Sequence, residues 1–152
     1  MVTIANISDH ITYKEATRSS TALRHGIKNV PSATKLARMK LLAEKVFEPL
    51  RAHVGGPIAV NSFFRSKELN EKVGGSKNSQ HTKGQAIDID DTLGHMPNSE
   101  MFHWIKDNLD FDQLIWEYGD KREPAWIHVS YVSVEENRKR VLRATPSGFE
   151  LF

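Results

Sequence analysis

Residues 86–90 read AIDID, an alternation that favours an extended chain. Ile87 and Ile89 fall on one side of such a chain and Asp88 and Asp90 on the other, because successive strand side chains point to opposite faces. Residues 125–132, AWIHVSYV, repeat the arrangement: Ile127, Val129 and Tyr131 share one face, His128 and Ser130 the other. Each strand turns an apolar side to a core and a polar side to a site or to solvent.

Ser79-Gln80-His81 precedes the first of these strands, with Gly84 between His81 and Asp88. On a helix, His81 and Asp88 would lie about 10.5 Å apart along the axis, too far to share an ion bound at about 2 Å. A turn is required, and Gly84 supplies the backbone freedom for it. With His128 added from the second strand, the set is two imidazoles and one carboxylate. That set leaves a zinc ion one open position, as catalytic zinc requires. The chain has no cysteine, so Cys-based structural zinc sites and thiolate chemistry are excluded. Imidazole serves many roles without a metal, and spacing alone leaves those open. His10, His25, His53, His95 and His103 have no partner pattern and read as structural or exposed.

The remaining pattern predicts helices early and strands late. Leu36, Met39, Ala43, Val46 and Leu50 step by three or four, an amphipathic helix over 34–52 that Pro49 should bend or stop. Thr12 and Glu15 form a capping-box pair at the start of a short helix. The stretch 19–31 reads as polar and irregular. Residues 57–64 read as a strand that delivers Arg65, and 66–75 as a helical turn and loop. Asn98 or Ser99 caps a helix to about Leu109, with Met101, Phe102, Ile105 and Leu109 inward. DQLIWEYG is a third strand and AWIHVSYV a fourth, joined by the turn GDKREP; Trp104, Trp116 and Trp126 read as core. The expected fold is α+β, with a small antiparallel sheet flanked by helices.

A chain of 152 residues fits one domain, 1–152. Its formal net charge of +2 is too small to argue for nucleic acid, and KREP and ENRKR are short and isolated. No run approaches a membrane span. The N-terminal MVTIANISDHITYKEA lacks a basic region followed by an apolar one, so a chain made in the cytoplasm without a Sec signal is expected.

Ser79-Gln80-His81, Gly84, Ala86 and Asp88, together with Trp126-Ile127-His128-Val129-Ser130, resemble the M15 family of zinc D-Ala-D-Ala peptidases. The likeness is to its small branch of phage endolysins and bacterial cell-wall peptidases. Glu48-Pro49-Leu50-Arg51, Asn61-Ser62-Phe63-Phe64-Arg65-Ser66, Leu69-Asn70, Val73-Gly74-Gly75 and Phe111-Asp112-Gln113-Leu114-Ile115-Trp116-Glu117 follow in the family's order, over roughly residues 8–132. The resemblance implies a fold like that of hedgehog signalling domains and DD-peptidases. It implies Zn2+ held by His81, Asp88 and His128, and cleavage of an amide bond in the peptide stem of peptidoglycan. It implies substrate contact from Arg65, Ser79 and Gln80, with Arg65 also stabilising the developing oxyanion. Many members carry an acid three residues before the last histidine, where this chain has Ala125. Glu117 is the candidate general base, with Glu123 and Asp120 as rivals.

Two other functions compete with that expectation. One is a non-catalytic zinc module that binds the cell wall, which Ala125 favours. The other is a cytoplasmic dipeptidase acting on free D-Ala-D-Ala. A monomeric enzyme reaching the wall by holin-type release, or as part of a phage particle, fits the first expectation.

Overall fold

The computed structural model describes residues 6–152; residues 1–5, where the N-terminal segment read above for a leader begins, lie outside the described residues. The chain opens with two short helices, α1 (Tyr13–Thr17) and α2 (Ser20–His25). The capping box at α1 is present, with the Thr12 hydroxyl accepting from the Glu15 N–H at 3.0 Å. Helix α2 corrects the reading of 19–31 as irregular throughout. Ser19 caps it by accepting from the Ala22 N–H at 3.1 Å, and Gly26 ends it at φ 63°. A six-residue helix is too short to show apolar periodicity.

The long helical run begins at α3 (Ala33–Leu42), passes through a π-helical turn (Ala43–Phe47) and continues as α4 (Glu48–Val54). Pro49 neither stops nor terminates it. Proline has no N–H and its ring crowds the carbonyl four residues back. The wider turn just before it, closed by the Glu48 N–H on the Ala43 carbonyl, absorbs both defects. Met39, Ala43, Val46 and Leu50 of the expected stripe are buried, and Leu36 packs beside them.

The strands are β1 (Ala59–Ser62), β2 (Ala86–Asp90), β3 (Gln113–Glu117), β4 (Trp126–Ser130), β5 (Arg140–Thr145) and β6 (Gly148–Leu151). Helix α5 (Lys67–Lys72) and a 3-10 turn (Gln80–Lys83) lie between β1 and β2, and α6 (Asn98–Asn108) between β2 and β3. One sheet has the order β1-β2-β4-β3-β5-β6. The architecture is α+β, as expected, but the sheet is mixed where an antiparallel one was predicted: β5 runs parallel to β3. The cause is topological. Strand β4 ends beside the start of β3, where the Asp112 N–H meets the Ser130 carbonyl. The short connection 131–139 then starts β5 at that same end, so Arg140 pairs with Gln113 and β5 must run with β3.

One face of the sheet carries the core. Ile87, Ile89, Leu114, Trp116, Ile127, Val129 and Tyr131 pack there with Phe102 and Ile105 of α6. Each fully buried side chain of this kind contributes about 1.5–3 kcal/mol over an exposed one. Asn98 does not cap α6 through its side chain. Its amide donates to Asp90 at 2.7 Å and to the Pro124 carbonyl at 3.2 Å, and its oxygen accepts from the Asp91 N–H at 2.8 Å. Glu123 caps the helix from the β3–β4 turn, accepting from the Ser99 N–H at 3.0 Å.

Gly84 ends the 3-10 turn at φ 75°, and a Cβ there would stand 2.6 Å from the Lys35 carbonyl oxygen. An alanine meets both a disfavoured backbone conformation and rigid backbone. Gly84→Ala is expected to destabilise the protein by more than about 1 kcal/mol. Urea denaturation measures this, and an unchanged midpoint would contradict the assigned turn.

Candidate metal centre

The other face of the sheet carries the polar residues of the alternating strands. Asp88 pairs with Ser62 on one side and with His128 on the other, and His128 pairs in turn with Ile115 of β3. His81 arrives from outside the sheet. Ser79 caps the 3-10 turn by accepting from the His81 N–H at 3.3 Å, and Gly84 then turns the chain into β2. This local reversal brings the imidazole over Asp88.

The three residues meet. Their ligand atoms lie within 4.8 Å of one another. The Asp88 carboxylate has one oxygen 3.0 Å from His128 Nδ1 and the other 3.2 Å from His81 Nε2. The two imidazoles stand edge to face, centroids 5.2 Å apart. His81 Nδ1 is 2.8 Å from the Phe63 carbonyl, which can only accept. That nitrogen therefore carries the proton, and in the neutral ring Nε2 is a lone pair. Burial lowers the pKa of His81 and keeps it neutral, against the opposing pull of Asp88. His81 Nε2 thus faces a carboxylate oxygen with no proton between them. It is buried and has no hydrogen-bond partner, so the 3.2 Å approach is not a hydrogen bond. Two lone-pair donors aimed at one point fit a divalent cation. A ring fixed through its far nitrogen by a backbone carbonyl is the usual support for a metal-ligating histidine.

Arg65 and Glu117 flank this cluster. Arg65 Nε donates to the Ser62 hydroxyl at 3.2 Å, Nη1 to Asn70 at 3.2 Å, and Nη2 lies 3.5 Å from Asp88. The guanidinium is pinned in the site rather than loose at a strand end. Glu117 lies diagonally across the β3–β4 hairpin from His128, with Trp126 opposite it. The Ala125 N–H donates to the Glu117 carbonyl at 2.9 Å. Ala125 brings no carboxyl to the cleft, and Glu117, bonded to it through the backbone, brings one from β3. Burial pushes the Glu117 carboxyl up to about 7; Asp88 adds to the rise, and His128 and Arg65 oppose it.

These residues line one cleft of about 460 Å³, together with Ser79, Gln80, Ile115, Trp126, Arg138 and Phe149. The two rival carboxylates lie elsewhere. Glu123 is the α6 cap described above, and Asp120 accepts from the Arg122 and Glu123 N–H groups in the exposed turn. Asp90 ends β2 bound to Asn98, away from both histidines. His10 pairs with Glu48 at 2.6 Å, and His53 stacks on Trp104 at 4.5 Å. Trp116 is buried core, whereas Trp126 is partly exposed in the cleft.

Sequence reasoning missed one supporting residue, Asp112. It is almost fully buried and accepts from Gln80 Nε2 at 2.9 Å, and from Arg138 Nε at 3.0 Å, Nη2 at 2.8 Å and its N–H at 3.0 Å. It ties the residue before His81 to the far rim of the cleft. No local signal marks it, because its partners are distant in the chain.

Fold and cleft together define an α+β protein with a three-residue candidate metal centre open to solvent on one side. Residues 9–130 match the model of the Peptidase M15 family, so the chain belongs to that family of metallopeptidases. A search of curated proteins finds no match.

Burial alone would raise the Asp112 carboxyl, but the bonds from Arg138 and Gln80 outweigh it and lower it from 3.8 to about 2. A depressed carboxyl adds stability above its unfolded pKa and loses it as pH falls through the folded value. Asp112→Asn is expected to cost about 1–3 kcal/mol at pH 7 and progressively less between about pH 4 and 2. Denaturant midpoints across that range measure it; a cost independent of pH would contradict the ion pair.

Proposed function

We propose that the chain is a single zinc peptidase domain, residues 1–152, of the hedgehog/DD-peptidase type, that hydrolyses an amide bond in the peptide stem of peptidoglycan. The observation that carries this reading is the convergence of His81, Asp88 and His128 on one point, with Glu117 and Arg65 facing the same cleft. Three protein donors suit Zn2+, which supplies Lewis acidity and lowers the pKa of a coordinated water when bound.

The chain's own groups do the rest. Glu117 takes a proton from the attacking water as the water oxygen bonds to the amide carbonyl carbon. It gives that proton to the departing nitrogen as the carbon–nitrogen bond breaks. Arg65 holds a substrate oxygen through its fixed fork and stabilises the negative charge that develops there. Asp88 and the two histidines keep their donors aimed at one point. Ser79 and Gln80 meet the bound peptide along the cleft wall. The small endolysin-like branch is the proposed setting: a monomer that reaches the wall by holin-type release or as a phage particle component. Among the described residues no helix is long and apolar enough to cross a membrane.

Protein loaded with zinc is expected to bind one ion per chain by metal analysis, and His81→Ala to lose it. The loaded protein is expected to free amino groups from peptidoglycan, and a chelator to abolish the release. Glu117→Gln is expected to keep its zinc but lose about 10²–10⁴-fold in kcat. Zinc-loaded protein that frees no amines would overturn the peptidase reading. Retained wall affinity would then indicate the binding module, and turnover confined to free D-Ala-D-Ala the dipeptidase.

A further inference from the structure

Residues 131–152 lie beyond the segment that matches the family, 9–130, and they supply β5 and β6 on the outer side of β3. The two faces of this hairpin are unlike. Away from the cleft, Arg143 stands 5.0 Å over the Trp116 ring and 4.9 Å over the Phe152 ring. Phe152 in turn packs on Phe102 at 4.8 Å. These contacts fasten the hairpin to the core.

On the cleft face the register carries two rows across the sheet. One runs His128, Ile115, Leu142, Leu151; the other runs Trp126, Glu117, Ala144, Phe149. Each row passes from polar and aromatic groups at β4 to hydrocarbon at β5 and β6. Phe149 is 67% exposed, yet it lines the same cleft as His81, Asp88 and His128. Leu151, 79% exposed, stands two residues along on the same face, so the hairpin carries an exposed apolar patch rather than a lone ring, and Phe149 opens it onto the candidate metal centre. Arg138 stands on the same rim. Asp112 holds its Nε and Nη2, while the side chain remains 51% exposed. A guanidinium oriented in this way presents its remaining N–H groups to an anion.

We propose that the β5–β6 hairpin, with Arg138 in the connection that leads into it, is a specificity wall of the cleft, on which Phe149 receives methyl and methylene groups of the bound peptide and Arg138 one of its carboxylates. The inference rests on the function proposed above. A peptidoglycan stem peptide carries both kinds of group: alanine methyls, the aliphatic chain of a diamino acid, and free carboxylates.

The test separates the two readings by measuring binding apart from turnover. A synthetic stem peptide ending in D-Ala-D-Ala is titrated calorimetrically into zinc-loaded Glu117→Gln protein. Adding Phe149→Ser is expected to weaken binding about tenfold, and adding Phe149→Leu to restore most of it. Adding Arg138→Gln is expected to weaken it as well, and amidating the peptide's free carboxylates to erase the difference between that variant and its parent. With Glu117 intact, Phe149→Ser is expected to raise KM about tenfold and leave kcat unchanged. Equal affinity of the Phe149→Ser and parent proteins overturns the wall, as does a fall in kcat at constant KM. A wild-type protein that binds the peptide but never cleaves it sinks the peptidase reading and leaves the wall to the calorimetry. One that does not bind it at all overturns both.

Discussion

A carboxylate that is 8% exposed must be surrounded by charge and donors, and in this protein much of the site follows from that one requirement at Asp88. The strand that carries Asp88 lies between β1 and β4, so partners come from both sides of it and from above. Ser62 of β1 orients Arg65, whose guanidinium reaches one carboxylate oxygen; His128 of β4 reaches the other; His81 descends from the 3-10 turn. His81 cannot satisfy Asp88 by itself, because its proton is committed to the Phe63 carbonyl. The buried lone pair that results is the feature hardest to explain without a cation and easiest to explain with one.

That arrangement was largely legible in the sequence because it is local or periodic. The alternation in AIDID and WIHVS assigns Asp88 and His128 to the polar face, and the structure keeps Ile87, Ile89, Ile127 and Val129 in the core. Gly84 announces the turn that His81 needs, and its positive φ is the reason. The position of Glu117 beside Ala125 is also local, since a tight hairpin joins their strands. Asp112 was not legible. Its meaning depends on Gln80 and Arg138, which chain connectivity alone does not bring together.

The last two strands were missed for a different reason. In RVLRAT the two faces read Arg140, Leu142, Ala144 and Val141, Arg143, Thr145, so both mix apolar with polar and no alternation appears. Every residue of β6 is exposed, which removes the burial pattern that makes a strand recognisable. What holds them is long-range: backbone pairing to β3, and the contact of Arg143 and Phe152 with Trp116. The parallel pairing of β5 escaped notice with the strand itself, since direction is decided by where the connection 131–139 begins.

The hairpin also bears on the chemistry of Glu117. On the cleft face this carboxyl stands between Trp126 of β4 and Ala144 of β5. Hydrocarbon flanks it on both sides, and burial is the largest influence on its carboxyl, which is raised to about 7. A cation held by His81, Asp88 and His128 would act in the opposite sense, because positive charge favours the ionised form. With such a cation bound, the proton affinity of Glu117 would be a balance between an apolar wall and a charge. One of the strands that build the wall lies inside the segment shared with the family and the other outside it.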